Sequence, residues 1–156
     1  MKITTEEELQ KLRNVPLFRK LKPSELKIVA LSMETFIFGA GEVIVQEGDE
    51  GDEAYIIYSG QVKVYLALNQ ERSVILNELG PGEMFGEMAL FGDGWRTASV
   101  QAVRETLVGV ISKERLYEII REFPDIALGM LKIQTQRFSR AENLLLDFIK
   151  KGEQKA

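Results

Sequence analysis

The chain of 156 residues contains no cysteine and no histidine. Lack of cysteine rules out disulfides, a thiolate nucleophile and Cys-ligated zinc or iron–sulfur sites. Lack of histidine removes the commonest general base and the usual imidazole metal site. A Ser-His-Asp triad cannot be built. The remaining carboxylates, lysines and tyrosines form no evident base or metal set, so the composition points away from catalysis. Also missing is any apolar run of the roughly 18 residues a membrane helix needs. The start, "MKITTEEELQKLRN", is too polar for a secretory signal, so a cytoplasmic location is the default expectation. Lysine and arginine number 20 against 24 acidic residues, a poor basis for binding nucleic acid.

What is present suits an ordinary globular chain with one real core, at 45% hydrophobic and 28% charged residues. Residues 1–33 form an N-terminal helical segment. Thr5 and Glu8 have capping-box spacing, followed by Leu9 and Leu12 on one face. Pro16 and Pro23 interrupt, and Ser24 is placed to cap a second helix. Its Leu26, Val29, Ala30 and Met33 make an i, i+3, i+4, i+7 stripe. These helices are expected to cover one end of a barrel.

Residues 34–111 are β-rich. Short β-branched and aromatic runs ("TFIF", "EVIV", "AYIIY", "QVKVYL", "SVILNEL", "TASVQAV", "TLVGVI") recur with glycine-bearing turns between most of them. In "QVKVYL", inward Val62, Val64 and Leu66 alternate with outward Lys63 and Tyr65. Residues 112–150 return to helix. Ser112 can cap a helix carrying Leu116, Ile119, Ile120 and Phe123, which Pro124 ends or bends. Beyond it Ala127, Leu131, Gln134, Phe138, Ala141, Leu145 and Phe148 repeat at alternating spacings of four and three. That is a seam, laid against the barrel or paired with a second chain. The tail, 151–156, reads as frayed and solvated. The expected fold is α+β: an antiparallel β-barrel of jelly-roll type, flanked by N-terminal helices and by a C-terminal hinge with a long helix.

The most informative stretch is "EMFGEMALFGDGWRTASV", residues 83–100. Gly80 and Gly82 flank Pro81 in a tight turn, and Gly86 opens "GEMALF", room for about one turn of helix. Glycine-bared N–H groups at such a start attract anions. Arg96 then begins a strand whose neighbours Thr97, Ala98 and Val100 are partly apolar, which turns its guanidinium inward. A buried guanidinium needs an anionic partner, and its planar fork suits a phosphate. Two readings emerge from spacing alone: an anion site, or an internal Glu87–Arg96 ion pair. The acidic loop "EGDEGDE" lacks the order of a calcium loop and reads as a solvated turn. Trp95 reads as a packing aromatic or a cover for the pocket mouth.

"FGEMALFGDGWRTASV" resembles the phosphate-binding cassette of cyclic nucleotide-binding domains, here at about 84–98. "VPLFRKLKPSELKIVAL" is similar to the helical opening of the bacterial catabolite-activator branch. "GEVIVQEGDEGDEAYIIYSGQVKVY" resembles the early barrel strands of the family, and "FPDIALGMLKIQTQRFSRAENLL" its hinge and long C-terminal helix. The resemblance implies a regulatory domain that binds cAMP or cGMP in signal transduction, with no further cofactor.

Position by position, it implies that Gly86 gives close backbone approach and Glu87 accepts from the ribose 2′-hydroxyl. Met88 stands at an aliphatic site and Ala89 begins the short helix turn facing the phosphate. Arg96 neutralises the cyclic phosphate, with Thr97 and Ala98 offering further donors. Val64, Leu76 and Leu79 fall where members line the purine and sugar pocket, or are plain core. Arg137 matches a position near the base, or is a surface arginine. Thr97 permits cGMP without selecting it, and cAMP is the expected ligand.

Output is expected through movement of the C-terminal helix, toward an unidentified effector or a homodimer formed by that helix. A chain ending at Ala156 leaves no room for the helix-turn-helix of catabolite-activator relatives. It is then a stand-alone sensor, which Met1 and the polar tail favour, or a fragment. Two rivals stand: a degenerate module in which Glu87 and Arg96 pair, and an enzyme acting on a phosphate ester through them.

Overall fold

The structure, a computed structural model, describes residues 5–154; the chain before Thr5 and the last two residues lie outside it. It divides into two compact units, Met1–Ile119 and Ile120–Ala156. In the first, helix α1 (Thr5–Arg13), a 3₁₀ turn (Pro16–Phe18) and α2 (Pro23–Leu31) precede eight strands. These are β1 (Glu34–Phe38), β2 (Val43–Val45), β3 (Glu53–Ser59), β4 (Val62–Ala67), β5 (Ser73–Leu79), β6 (Met84–Phe85), β7 (Ser99–Ala102) and β8 (Thr106–Ser112). Helix α3 (Glu87–Phe91) lies between β6 and β7, and α4 (Lys113–Glu122) comes after β8. Two four-stranded sheets, ordered β1-β8-β3-β6 and β2-β7-β4-β5, make the expected antiparallel jelly roll.

Strand β3 is the hub. Ala54 through Tyr58 are all buried, which a strand achieves only when both of its faces are covered. One face sends Tyr55 and Ile57 into a core shared with Val62, Leu79, Phe85, Val100, Val108 and Val110. The other sends Tyr58 toward the helical layer, where its hydroxyl donates to Glu8 Oε1 at 3.2 Å and contacts Met33 Sδ at 3.7 Å. Leu26, Val29 and Ala30 of α2 are buried, as is Met33 just beyond its end, so the expected stripe is the face turned inward.

Three local expectations change. Ser24 does not cap α2; Lys22 does, its N–H donating to Glu25 Oε1 at 2.8 Å. Pro23 takes the first helical position, where its missing N–H costs nothing, and this moves the start two residues earlier. The strand expected to begin at Arg96 starts at Ser99. The register of β4 on β5 slips between Val64 and Tyr65, pairing Val64 with Asn77 and Tyr65 with Ile75. Leu76 is thus the extra residue of a bulge, a break that alternation along one strand cannot reveal.

Ser112 caps α4 as expected, accepting from Arg115 N at 3.3 Å. In the second unit the helix stops before Phe123 and Pro124, and α5 (Asp125–Gln154) runs for 30 residues. It takes in Lys151 to Gln154, expected from the sequence to be frayed tail, because a nucleated helix propagates through Lys151, Glu153 and Gln154 despite the poor helix propensity of Gly152. Leu131, Phe138, Leu145 and Phe148 of the seam are exposed. No helix among the described residues is long and apolar enough to cross a membrane.

The Glu8 carboxyl is raised above its ordinary value by burial, with the Tyr58 hydrogen bond pulling it partly back. Burial and the Glu8 carboxylate both push the Tyr58 hydroxyl up, so it stays a donor. A carboxyl whose folded pKa lies above the unfolded value contributes stability below the unfolded value and loses it as pH rises through the folded one. Glu8→Gln removes that titration. The variant should therefore gain stability relative to wild type as pH rises from about 4 to about 7, read as the difference in thermal midpoints. A difference that stays flat over that window would overturn the assignment.

Candidate functional site

The site is assembled where the loop after β2 meets the loop after α3. Arg96 N donates to Asp49 O at 2.8 Å, Gly48 N to Arg96 O at 2.9 Å and Gly51 N to Gly94 O at 2.9 Å, beside a bridge between Glu50 and Trp95. The acidic loop is therefore a ladder that holds the arginine segment, and not only a solvated turn. Among the described residues no cluster of three His, Cys, Asp or Glu is placed to hold a metal.

Arg96 is 8% exposed. Two of its five N–H groups reach main-chain carbonyls, Nη1 to Gly86 O at 2.7 Å and Nη2 to Glu53 O at 2.9 Å. Its Cζ lies over the Tyr55 ring, 5.8 Å from the centroid. Gly86, at φ +83°, adopts the left-handed backbone that precedes α3. A Cβ there would come within 2.9 Å of Arg96 Nη1 and 3.0 Å of the Tyr55 ring. At Gly51 a Cβ would overlap the guanidinium itself. Both glycines are required because backbone closes the slot around the arginine.

Glu87, first residue of α3, is 3% exposed, and Ala89 is buried with it. The structure thus gathers Gly86, Glu87, Ala89 and Arg96 at one end of the barrel. Ala89 sits in the middle of α3 and does not begin it; the helix starts at Glu87. Met88 and Thr97 are exposed and Ala98 is half-buried. Leu79 belongs to the core cluster and Val64 packs partly against it, while Leu76, at the bulge, is exposed. Arg137 is half-buried on α5. Trp95 is half-exposed and, with Gly51, Ala89 and Asp93, borders a cleft of about 480 Å³.

Three contributors carry no signal in the sequence pattern: Gly51, Glu53 and Tyr55. Gly51 is hidden in an acidic turn, and Glu53 acts through its carbonyl, which no side-chain pattern reports. Tyr55 is visible only as one member of the run "AYIIY". It stacks on Phe85 at 4.8 Å between centroids, and its hydroxyl donates to Glu53 Oε2 at 3.4 Å. Burial, then the Glu53 carboxylate, pushes that hydroxyl's pKa up, so it remains a neutral donor. At the far end of α3 the Tyr117 hydroxyl donates to Leu90 O at 2.7 Å, and the Phe91 and Tyr117 rings stack at 5.8 Å. Helix α3 is thereby tied to α4.

The family model for the cyclic nucleotide-binding domain matches residues 36–123. The chain belongs to that family. It is 30% identical over 138 residues to the CRP-like cAMP-activated global transcriptional regulator of Mycobacterium tuberculosis, covering 88% of this chain and 62% of that protein. It is 37% identical over 103 residues to a cAMP-dependent protein kinase regulatory subunit of Emericella nidulans, covering 66% of this chain and 24% of that one. The crystal structure of the Thermus thermophilus catabolite activator protein superposes with a TM-score of 0.76 at 32% identity, covering 86% of this chain and 63% of that one. The chain spans about three-fifths of the length of the bacterial relatives. These relatives are described as regulators, and this cyclic nucleotide-binding domain shares its fold with the Thermus thermophilus protein.

The slot makes a stability prediction that needs no ligand. Gly51→Ala should cost about 1–3 kcal/mol in urea denaturation, the usual range for overpacking. Gly80→Ala, where a Cβ meets nothing within 4 Å, should change stability by less than about 0.5 kcal/mol. Equal effects at the two positions would mean that Gly51 does not wall the arginine.

Proposed function

We propose that this domain senses a cyclic nucleotide, with Arg96 holding the phosphate. The observation that carries the reading is a buried guanidinium met by two neutral carbonyls, in a slot that two glycines keep free of side chains. Carbonyl dipoles fix its orientation but leave its formal charge for an anion to balance. A cyclic monophosphate carries one negative charge, so one arginine and nearby main-chain groups match it without a basic surface. That agrees with a chain of net charge −4.

In this reading Gly86 gives the backbone close approach and Glu87 accepts from the ribose 2′-hydroxyl. Met88, Ala89, Thr97 and Ala98 complete the cassette, and Val64, Leu76 and Leu79 border the purine and sugar. That two relatives are described as cAMP-activated and cAMP-dependent supports cAMP as the ligand here. No chemistry on the ligand is proposed, and the place of action is the cytoplasm. Occupation shifts α3 and, through the Leu90–Tyr117 hydrogen bond, α4. The break at Phe123 and Pro124 then lets α5 change partners, its exposed seam engaging an effector or a second copy.

The first experiment is a thermal-shift panel of cAMP, cGMP, a cyclic dinucleotide and AMP. Ligand at 100 times its dissociation constant stabilises by about 2.7 kcal/mol, or roughly 5–10 °C for a chain of this size. A response to cAMP is expected, and no response to either cyclic mononucleotide would sink the proposal and favour the degenerate module. Arg96→Ala should weaken binding by about 30-fold or more. Glu87→Ala should narrow the preference for ribo over 2′-deoxyribo ligand in calorimetry; an unchanged ratio removes its ribose role. Amide exchange across 125–149 should slow or redistribute at saturating cAMP, and indifference there would refute the helix output.

A further inference from the structure

We infer that Tyr55 is the positioning residue for Arg96, holding the guanidinium in its phosphate-ready orientation before any ligand arrives. The inference rests on Arg96 being the phosphate contact. An arginine side chain has several rotatable bonds, and its planar fork is useful to an oxyanion only when its plane is set. Two carbonyls pin Nη1 and Nη2, but two points leave the plane free to tilt. The Tyr55 ring supplies the third constraint, with Cζ over it at 5.8 Å, inside the range of cation–π attraction.

The ring is itself held in place. It lies 4.8 Å from Phe85 with 4° between the planes, within the barrel core, and its hydroxyl is tied to Glu53, the residue whose carbonyl receives Nη2. Gly51 approaches so closely that a Cβ there would overlap the guanidinium, so its backbone packs directly against the arginine. A ring at residue 55 therefore does what an aliphatic core residue of similar size cannot: it attracts the cation face-on and fixes its plane. The cost of ordering the arginine is met in folding, and the ligand does not bear it.

The test compares Tyr55→Phe and Tyr55→Leu in calorimetric titrations with cAMP and with adenosine, which lacks the phosphate. Tyr55→Leu should lower cAMP affinity about tenfold while moving adenosine affinity less than about threefold, and Tyr55→Phe should stay within about threefold of wild type for both. A Leu variant that weakens both ligands equally, or neither, overturns the inference, as does a Phe variant that behaves like Leu. Should the Leu variant not fold, the ligand-free wild type decides. Its Arg96 Nε–H resonance should be shifted by the ring current and exchange slowly with solvent, and a random-coil position refutes the role. Wild type that fails to bind cAMP while showing the shifted resonance would sink the sensor reading and leave the positioning intact.

Discussion

A guanidinium placed where water hardly reaches it must be met by oxygen atoms, and the architecture around Arg96 is built to meet that requirement. The carbonyls of Gly86 and Glu53 come from the end of β6 and from β3, neighbours in one sheet, so pairing of Tyr55 with Phe85 is what brings them within reach of one side chain. The backbone of Arg96 is in turn fixed by the loop after β2, which belongs to the opposite sheet. One charge thus links both layers of the sandwich, and the glycines at 51 and 86 stand where any side chain would break the link.

The same strand serves two layers. Successive side chains of β3 alternate faces, so Tyr55 and Tyr58, three residues apart, point to opposite sides. Tyr55 meets the arginine and Tyr58 meets the glutamate of α1. Each phenol satisfies its hydroxyl on a carboxylate, which lets an amphipathic ring sit in a buried position without an orphan donor. The helical cover and the site consequently share one rigid element.

Much of this is legible in the residues. Seven of the eight strands coincide with runs of β-branched and aromatic residues, and the helical stripe on α2 and the Ser112 cap are readable from spacing. Met84–Phe85 is not, since two residues cannot show a period. The candidate site stands out in the sequence because the glycines, acid and base of 86–96 lie within a dozen positions. Tyr55, Gly51 and the Glu53 carbonyl are 43 residues or so from Arg96 along the chain, and only sheet pairing brings them together. The bulge at Leu76 is hidden for a related reason: register belongs to two strands, and neither strand's own alternation records it.

Strand β8 pairs with both β1 and β3, so it sits inside its sheet although it is the last strand in the chain. A ribosome delivering this polypeptide from its amino terminus can release β1 through β7 without completing that sheet. The closing pairings span from about 50 to more than 70 residues, a non-local topology of the kind that folds slowly. Until Ser112 has emerged, "TFIF" and "AYIIY" lack their shared neighbour and their edges stay open to other chains, which makes the interval before β8 arrives the period of greatest aggregation hazard during synthesis.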